Sequence, residues 1–242
     1  MPETKKDIID RLQQDILRLQ GFAPPSGDEG NRIGLGPVEE AFPNGIFPVG
    51  AIHEFLSFDM VAGAACGGFI SGLLRALMPD GGACLWIGRQ QTVFPPALKA
   101  FGIAPDRVIF VNLPLEKDVL WVMEEALKCE GFAAVIAEVR EVSIVQSRRL
   151  QLAVENSKVT GFLLRNDPRK LSSNTCTARW QITPVPSELE EGLPGVGRPR
   201  WQVALLKVRN GNPGCWTLEW SDDHFIDLAA PTENGLQMLK AV

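Results

Sequence analysis

Gly50-Ala51-Ile52-His53-Glu54-Phe55-Leu56, followed a few residues later by Gly63-Ala64-Ala65-Cys66-Gly67-Gly68-Phe69-Ile70, decides how this chain folds. The first run has the length and composition of a buried strand, and the second places glycines ahead of an apolar helical pattern. Strand, glycine-bearing loop and helix is the layout of a phosphate-binding loop. Such a loop ends in Gly-Lys-Ser/Thr, where the lysine reaches the β- and γ-phosphates and the hydroxyl holds Mg²⁺. Here Gly67 is followed by Gly68 and Phe69. Hydrogen bonds to charged groups contribute roughly 1.5–3 kcal/mol each, so losing both contacts weakens nucleotide binding about a hundredfold or more. Gly63, Cys66, Gly67, Gly68 and Phe69 therefore read as a vestigial phosphate loop that Phe69 is placed to plug, and neither ATP nor another cofactor is expected there. The competing reading is that the glycines only let a helix approach the sheet closely.

Working outward, apolar runs at 51–56, 83–88, 107–112, 133–138 and 160–165 have strand length. Helical patterns at 68–78, 96–102, 116–130 and 144–157 separate them. This alternation predicts an α/β fold with a central, mostly parallel sheet flanked by helices. After residue 165 the rhythm changes. Runs at 178–183, 200–208 and 215–220 alternate apolar and polar residues, and Arg209-Asn210-Gly211-Asn212-Pro213-Gly214 marks a turn, which predicts antiparallel C-terminal strands. Upstream, Ile8, Ile9, Leu12, Ile16 and Leu19 form the stripe of an amphipathic helix over 5–20, which must bury itself on its own domain, on a partner or on a second copy. A Pro- and Gly-rich linker over 21–36 follows it, giving two expected units, 1–36 and 37–242.

The formal net charge of −5 argues against a strongly basic nucleic-acid surface, and 45% apolar with 22% charged residues is ordinary for a globular protein. Arg140, Arg148, Arg149, Arg165, Arg169 and Lys170 still form a candidate nucleic-acid patch near one sheet edge, against the alternative of a solvated face. The five cysteines show no metal-ligand spacing, and Cys84 and Cys129 read as small buried hydrophobes. No signal peptide and no 18-residue apolar span are read, so a cytoplasmic, reducing location is expected. His53 and His224, the two histidines, sit in no nucleophile motif, and no catalytic residue and no metal are assigned. Four of the six tryptophans, Trp180, Trp201, Trp216 and Trp220, fall in the antiparallel part, some for the core and others for partial exposure.

The order of these elements resembles the RecA core. Pro48-Val49-Gly50-Ala51-Ile52-His53-Glu54 resembles its opening strand, and 97–103 with 107–111 its next helix and strand. Gly131-Phe132-Ala133-Ala134-Val135-Ile136-Ala137-Glu138 resembles the strand that ends in a metal-orienting acid, here Glu138. With the N-terminal helix and the tail at 179–182 and 201–209, the series over about residues 40–228 is similar to the ImuA family, RecA-related accessory proteins of the bacterial mutasome.

The departures fall on functional positions. Gly68 stands at the loop lysine, and Ile87-Gly88-Arg89-Gln90-Gln91 lacks the catalytic glutamate. The connections at 140–145 and 166–177 are too short for RecA-type DNA loops. The resemblance thus implies a non-catalytic adaptor in damage-induced translesion synthesis and the SOS response. It would bridge ImuB, an error-prone replicative-type DNA polymerase and RecA, with weak or no direct DNA binding and no membrane. Two alternatives stand beside it: a nucleotide hydrolase whose phosphates are reached by Lys99 or Arg89, and a SulA-like division inhibitor that binds FtsZ.

Overall fold

The computed structural model describes residues 33–79, 81–171, 173–188 and 197–228, together with residues 8, 9, 11, 12 and 15. Among the described residues nine strands form one sheet: β1 (Ile52–Ser57), β2 (Ala83–Gly88), β3 (Val108–Asn112), β4 (Phe132–Val139), β5 (Thr160–Asn166), β6 (Ala178–Pro184), β7 (Arg200–Val208), β8 (Gly214–Ser221) and β9 (His224–Asp227). Their order across the sheet is β3-β2-β4-β5-β1-β6-β7-β8-β9. The first five pair in parallel. β6 lies parallel to β1 and antiparallel to β7, so it joins the two halves; of the expected antiparallel strands, it is the one that also extends the parallel half. The short β9 was not anticipated.

Helix α1 (Met60–Leu77) covers one face, while α2 (Glu116–Leu127) and α3 (Ile144–Ser157) cover the other. Under α1 the core is aromatic. Phe55 stacks on Trp180 with ring centroids 5.8 Å apart, and Phe69 packs 5.0 Å from Phe225 and edge-on to Trp201. Offset and edge-to-face pairs of this kind add to plain area burial. Trp180, Trp201 and Trp220 are buried and Trp216 is half-buried, as alternation predicted.

The region expected at 96–102 is a 3-10 helix (Pro95–Phe101) ended by left-handed Gly102. Ile33 and Leu35 already belong to the core cluster, so packing begins on the near side of the expected boundary at 36/37. Cys129 is exposed instead of buried, because α2 ends at Leu127 and leaves it beyond the last turn. Contrary to the expectation of no long apolar span, Met60–Leu77 is 18 residues long with mean hydropathy 1.5. Its hydrophobicity follows from packing, since Cys66, Phe69, Ile70, Leu73 and Leu74 face the sheet and are fully buried.

Candidate functional site

Parallel α/β sheets bind ligands beyond the carboxyl ends of their strands, so the edge where β1 to β5 terminate is the candidate site. At β1 the structure corrects the loop reading. The strand ends at Ser57 and α1 begins at Met60, leaving Phe58 and Asp59 to make the turn. Gly63, Cys66, Gly67, Gly68 and Phe69 are helical, and Phe69 plugs no pocket because it lies deep in the aromatic core.

The glycines serve close packing. A Cβ at Gly68 would meet Trp201 at 3.3 Å, and one at Gly72 would meet Phe225 at 2.5 Å. Asp59 is the N-cap of α1, its Oδ1 accepting from the Ala62 amide at 2.7 Å. A carboxylate therefore occupies the helix N-terminus, the position from which exposed amides would hold a phosphate. The signal was legible: Asp immediately before an apolar helical run is an N-cap pattern.

Glu138 is the penultimate residue of β4; it is buried and its oxygens are engaged. Oε1 accepts from Trp86 Nε1 on β2 at 2.7 Å and from the Thr92 hydroxyl, and Oε2 accepts from Asn166 Nδ2 on β5 at 3.2 Å. Burial raises its pKa, and the three hydrogen bonds partly oppose that rise. The carboxylate ties β4 to its two neighbours and to the loop after β2. Asn166 Oδ1 is buried without a partner on the side of Gly63, whose Cβ would lie 3.7 Å away. Among the described residues no group of three or more potential ligands converges for a metal. With an acidic cap, no lysine and an occupied glutamate, the residues present do not fit a Mg²⁺-nucleotide.

The loops at this edge are joined to one another. Arg89 Nε donates to Pro114 O at 3.3 Å, linking the loops after β2 and β3. Glu116 accepts the amides of Arg140 and Glu141, linking β3 to β4. Arg140 pairs with Asp167, the Arg169 amide donates to Glu141 at 2.7 Å, and the Asp167 amide donates to Ser57 O at 2.7 Å, closing the series from β4 through β5 to β1. The rim is thereby fixed as one surface.

The candidate basic patch is divided. Arg165 is fully buried and leaves the patch, because it is the centre of an ionic cluster. It donates to Glu54 at 3.0 Å, to Glu141 at 2.8 Å and to the carbonyls of Arg140 and Lys170. Arg179 on β6 holds the other oxygen of Glu54. A buried carboxylate between two guanidiniums is the arrangement that offsets the desolvation of each charge. Sequence reading missed it because Glu54 and Arg165 are far apart in the chain and meet only through the β1-β5 pairing. Arg149 pairs with Glu124 at 2.8 Å, whereas Arg148, Arg169 and Lys170 are exposed.

His53, on the opposite face of β1 from Glu54, is buried, stacks on Phe47 at 4.4 Å, donates through Nε2 to Pro48 O and accepts from the Trp180 indole. It is a core histidine. In the N-terminal stripe, Ile8, Ile9 and Leu12 are helical and exposed, while Ile16 and Leu19 lie outside the described residues.

No protein-family model matches the chain. In architecture it is similar to the RadB recombinase, with a TM-score of 0.56 and 13% identity over 82% of this chain and 99% of that one, a likeness of fold alone. In sequence it is 34% identical over 194 residues to Protein ImuA of Caulobacter vibrioides, covering 75% of this chain and 80% of the relative, and it matches the protein of a second strain of that species equally well. At that identity and coverage, on a RecA-like fold, the chain belongs to the ImuA family.

Proposed function

We propose that this protein is a non-catalytic RecA-like adaptor acting in damage-induced mutagenesis, where it bridges ImuB, an error-prone replicative-type polymerase and RecA in the bacterial cytoplasm. The observation that carries the reading is the junction of β1 and α1: two residues long and capped by Asp59, it offers no cradle for a phosphate. Glu138, whose counterpart would orient a metal, instead fastens Trp86, Thr92 and Asn166. Family membership supports the same reading. The exposed Ile8, Ile9 and Leu12 support a docking role for the N-terminal helix.

The test pairs calorimetric titration of Mg·ATP and Mg·ADP with a pull-down against ImuB. No nucleotide binding together with ImuB capture is expected, and removal of residues 1–30 should weaken capture or change the oligomeric state. Tight nucleotide binding, or ATP turnover lost on Arg89→Ala, overturns the reading in favour of a hydrolase.

A further inference from the structure

Each segment that follows one of strands β1 to β5, in its loop or in the first helical turn, carries an exposed large apolar side chain to the same edge of the sheet. After β1 these are Phe58, Met60 (92% exposed) and Val61 (65%); after β2, Phe94 (69%). Leu115 follows β3, Ile144 and Val145 (66%) follow β4, and Leu171 follows β5. Apolar side chains scattered singly over a surface need no explanation, but at least one after each of five adjoining strands, on a rim already locked by hydrogen bonds, marks an interaction surface.

Its charge is equally distinctive. In a chain of net charge −5, this edge carries Arg89, Lys117, Arg148, Arg169 and Lys170 with no carboxylate paired to them among the described residues. Of its acids, Asp59 is committed to the α1 cap, Glu116 to two amides, and Glu141 and Asp167 to arginines, which leaves Asp118 in the first turn of α2 against the five basic side chains. Helices α1, α2 and α3 also begin here, adding the positive ends of their dipoles.

We propose that this edge is a docking surface for an amphipathic helix of another protein, with acidic residues flanking its apolar stripe; the inference rests on the adaptor reading and names the chemistry of its partner. From β3 to β1 the surface crosses five strands, about 19 Å at about 4.8 Å per spacing, the length of a helix of about 13 residues. An extended peptide would need an open strand edge for its backbone hydrogen bonds, and strand ends offer none. A helix satisfies its own backbone and brings only side chains. Single-stranded nucleic acid fits less well, since stacking needs planar rings and most of these side chains are aliphatic.

The probe is a fluorescein-labelled 16-residue peptide with leucines at helical i, i+3, i+4, i+7 spacing and flanking glutamates. Controls are its scrambled version and a version with lysines for glutamates, all titrated by anisotropy onto the full chain. Micromolar binding of the probe is expected, weakened at least tenfold in both controls. Two protein variants, Met60→Asp with Val61→Asp, and Arg169→Glu with Lys170→Glu, should each lower affinity at least tenfold with unchanged circular dichroism.

Equal binding of probe and scrambled peptide, or wild-type affinity in both variants, overturns the proposal. A (dT)15 oligonucleotide whose binding is lost in the Met60/Val61 variant overturns it in favour of nucleic acid. A wild-type dimer dissolved by that variant in sedimentation overturns it in favour of a second copy. If the probe binds as expected and ImuB is not captured, the adaptor reading fails while the docking surface stands.

Discussion

Two glutamates are buried on strands that flank β5, one on β1 and one on β4, and are solved in opposite ways. Glu54 on β1 is held between the guanidiniums of Arg165 and Arg179, a charge met by charge. Glu138 on β4 is held by an indole, a hydroxyl and an amide, a charge met only by neutral donors, and burial pushes its pKa up. The difference separates two jobs. The first cluster locks the seam where β5, β1 and β6 meet and where the parallel half passes into the antiparallel half. The second braces β4 against β2 and β5. Two carboxylates buried alike thus need not do the same work; their partners decide.

The comparison breaks most visibly at Arg165. Arg165→Met leaves Glu54 with Arg179 alone and Glu141 with only the Arg169 amide, and should cost about 3–5 kcal/mol in urea unfolding. A loss below about 1 kcal/mol would mean that Arg179 alone suffices and that the seam is not ionic in its energetics.

The other face of β1 sharpens it through pH. Burial lowers the His53 pKa from 6.5 to about 4, against a smaller opposing contribution from its bond to Pro48 O. The unfolded chain therefore binds the proton first as pH falls, so the stability that rests on neutral His53 is complete above about 6.5 and is lost as pH drops towards about 4. The full loss is about 3 kcal/mol. Unfolding measured between pH 7 and 4 should show this slope, and His53→Gln should flatten it.

The smallest effects belong to Glu138. Glu138→Ala orphans the Trp86 and Thr92 donors and should cost about 2 kcal/mol. Glu138→Gln should cost less than about 1 kcal/mol, because Asn166 can turn its unpartnered Oδ1 towards the new amide. The raised pKa means that the folded state keeps a proton the unfolded chain has released, so wild-type Glu138 loses stabilising effect as pH rises through that window; the Gln variant should not. Equal costs for Gln and Ala would show that the charge itself is used, and would return Glu138 to the role of a cation-binding acid.

The sequence by itself determined the alternation of strands and helices and the antiparallel ending, because these rest on local periodicity. Strand β2 (Ala83–Gly88) and helix α3 (Ile144–Ser157) have the bounds their patterns gave. It misplaced Gly63 to Phe69 because glycines in a loop and glycines under a tryptophan look alike in one dimension; only Trp201 and Phe225, far along the chain, reveal the close approach. Arg165 read as a surface cation for the same reason, since its partners Glu54 and Arg179 arrive through pairing of β1 with β5 and β6. Tertiary structure alone decided which charges are buried and which apolar side chains gather on one rim. Burial and long-range charge pairing depend on sheet order, and sheet order is not written in any local stretch of the chain.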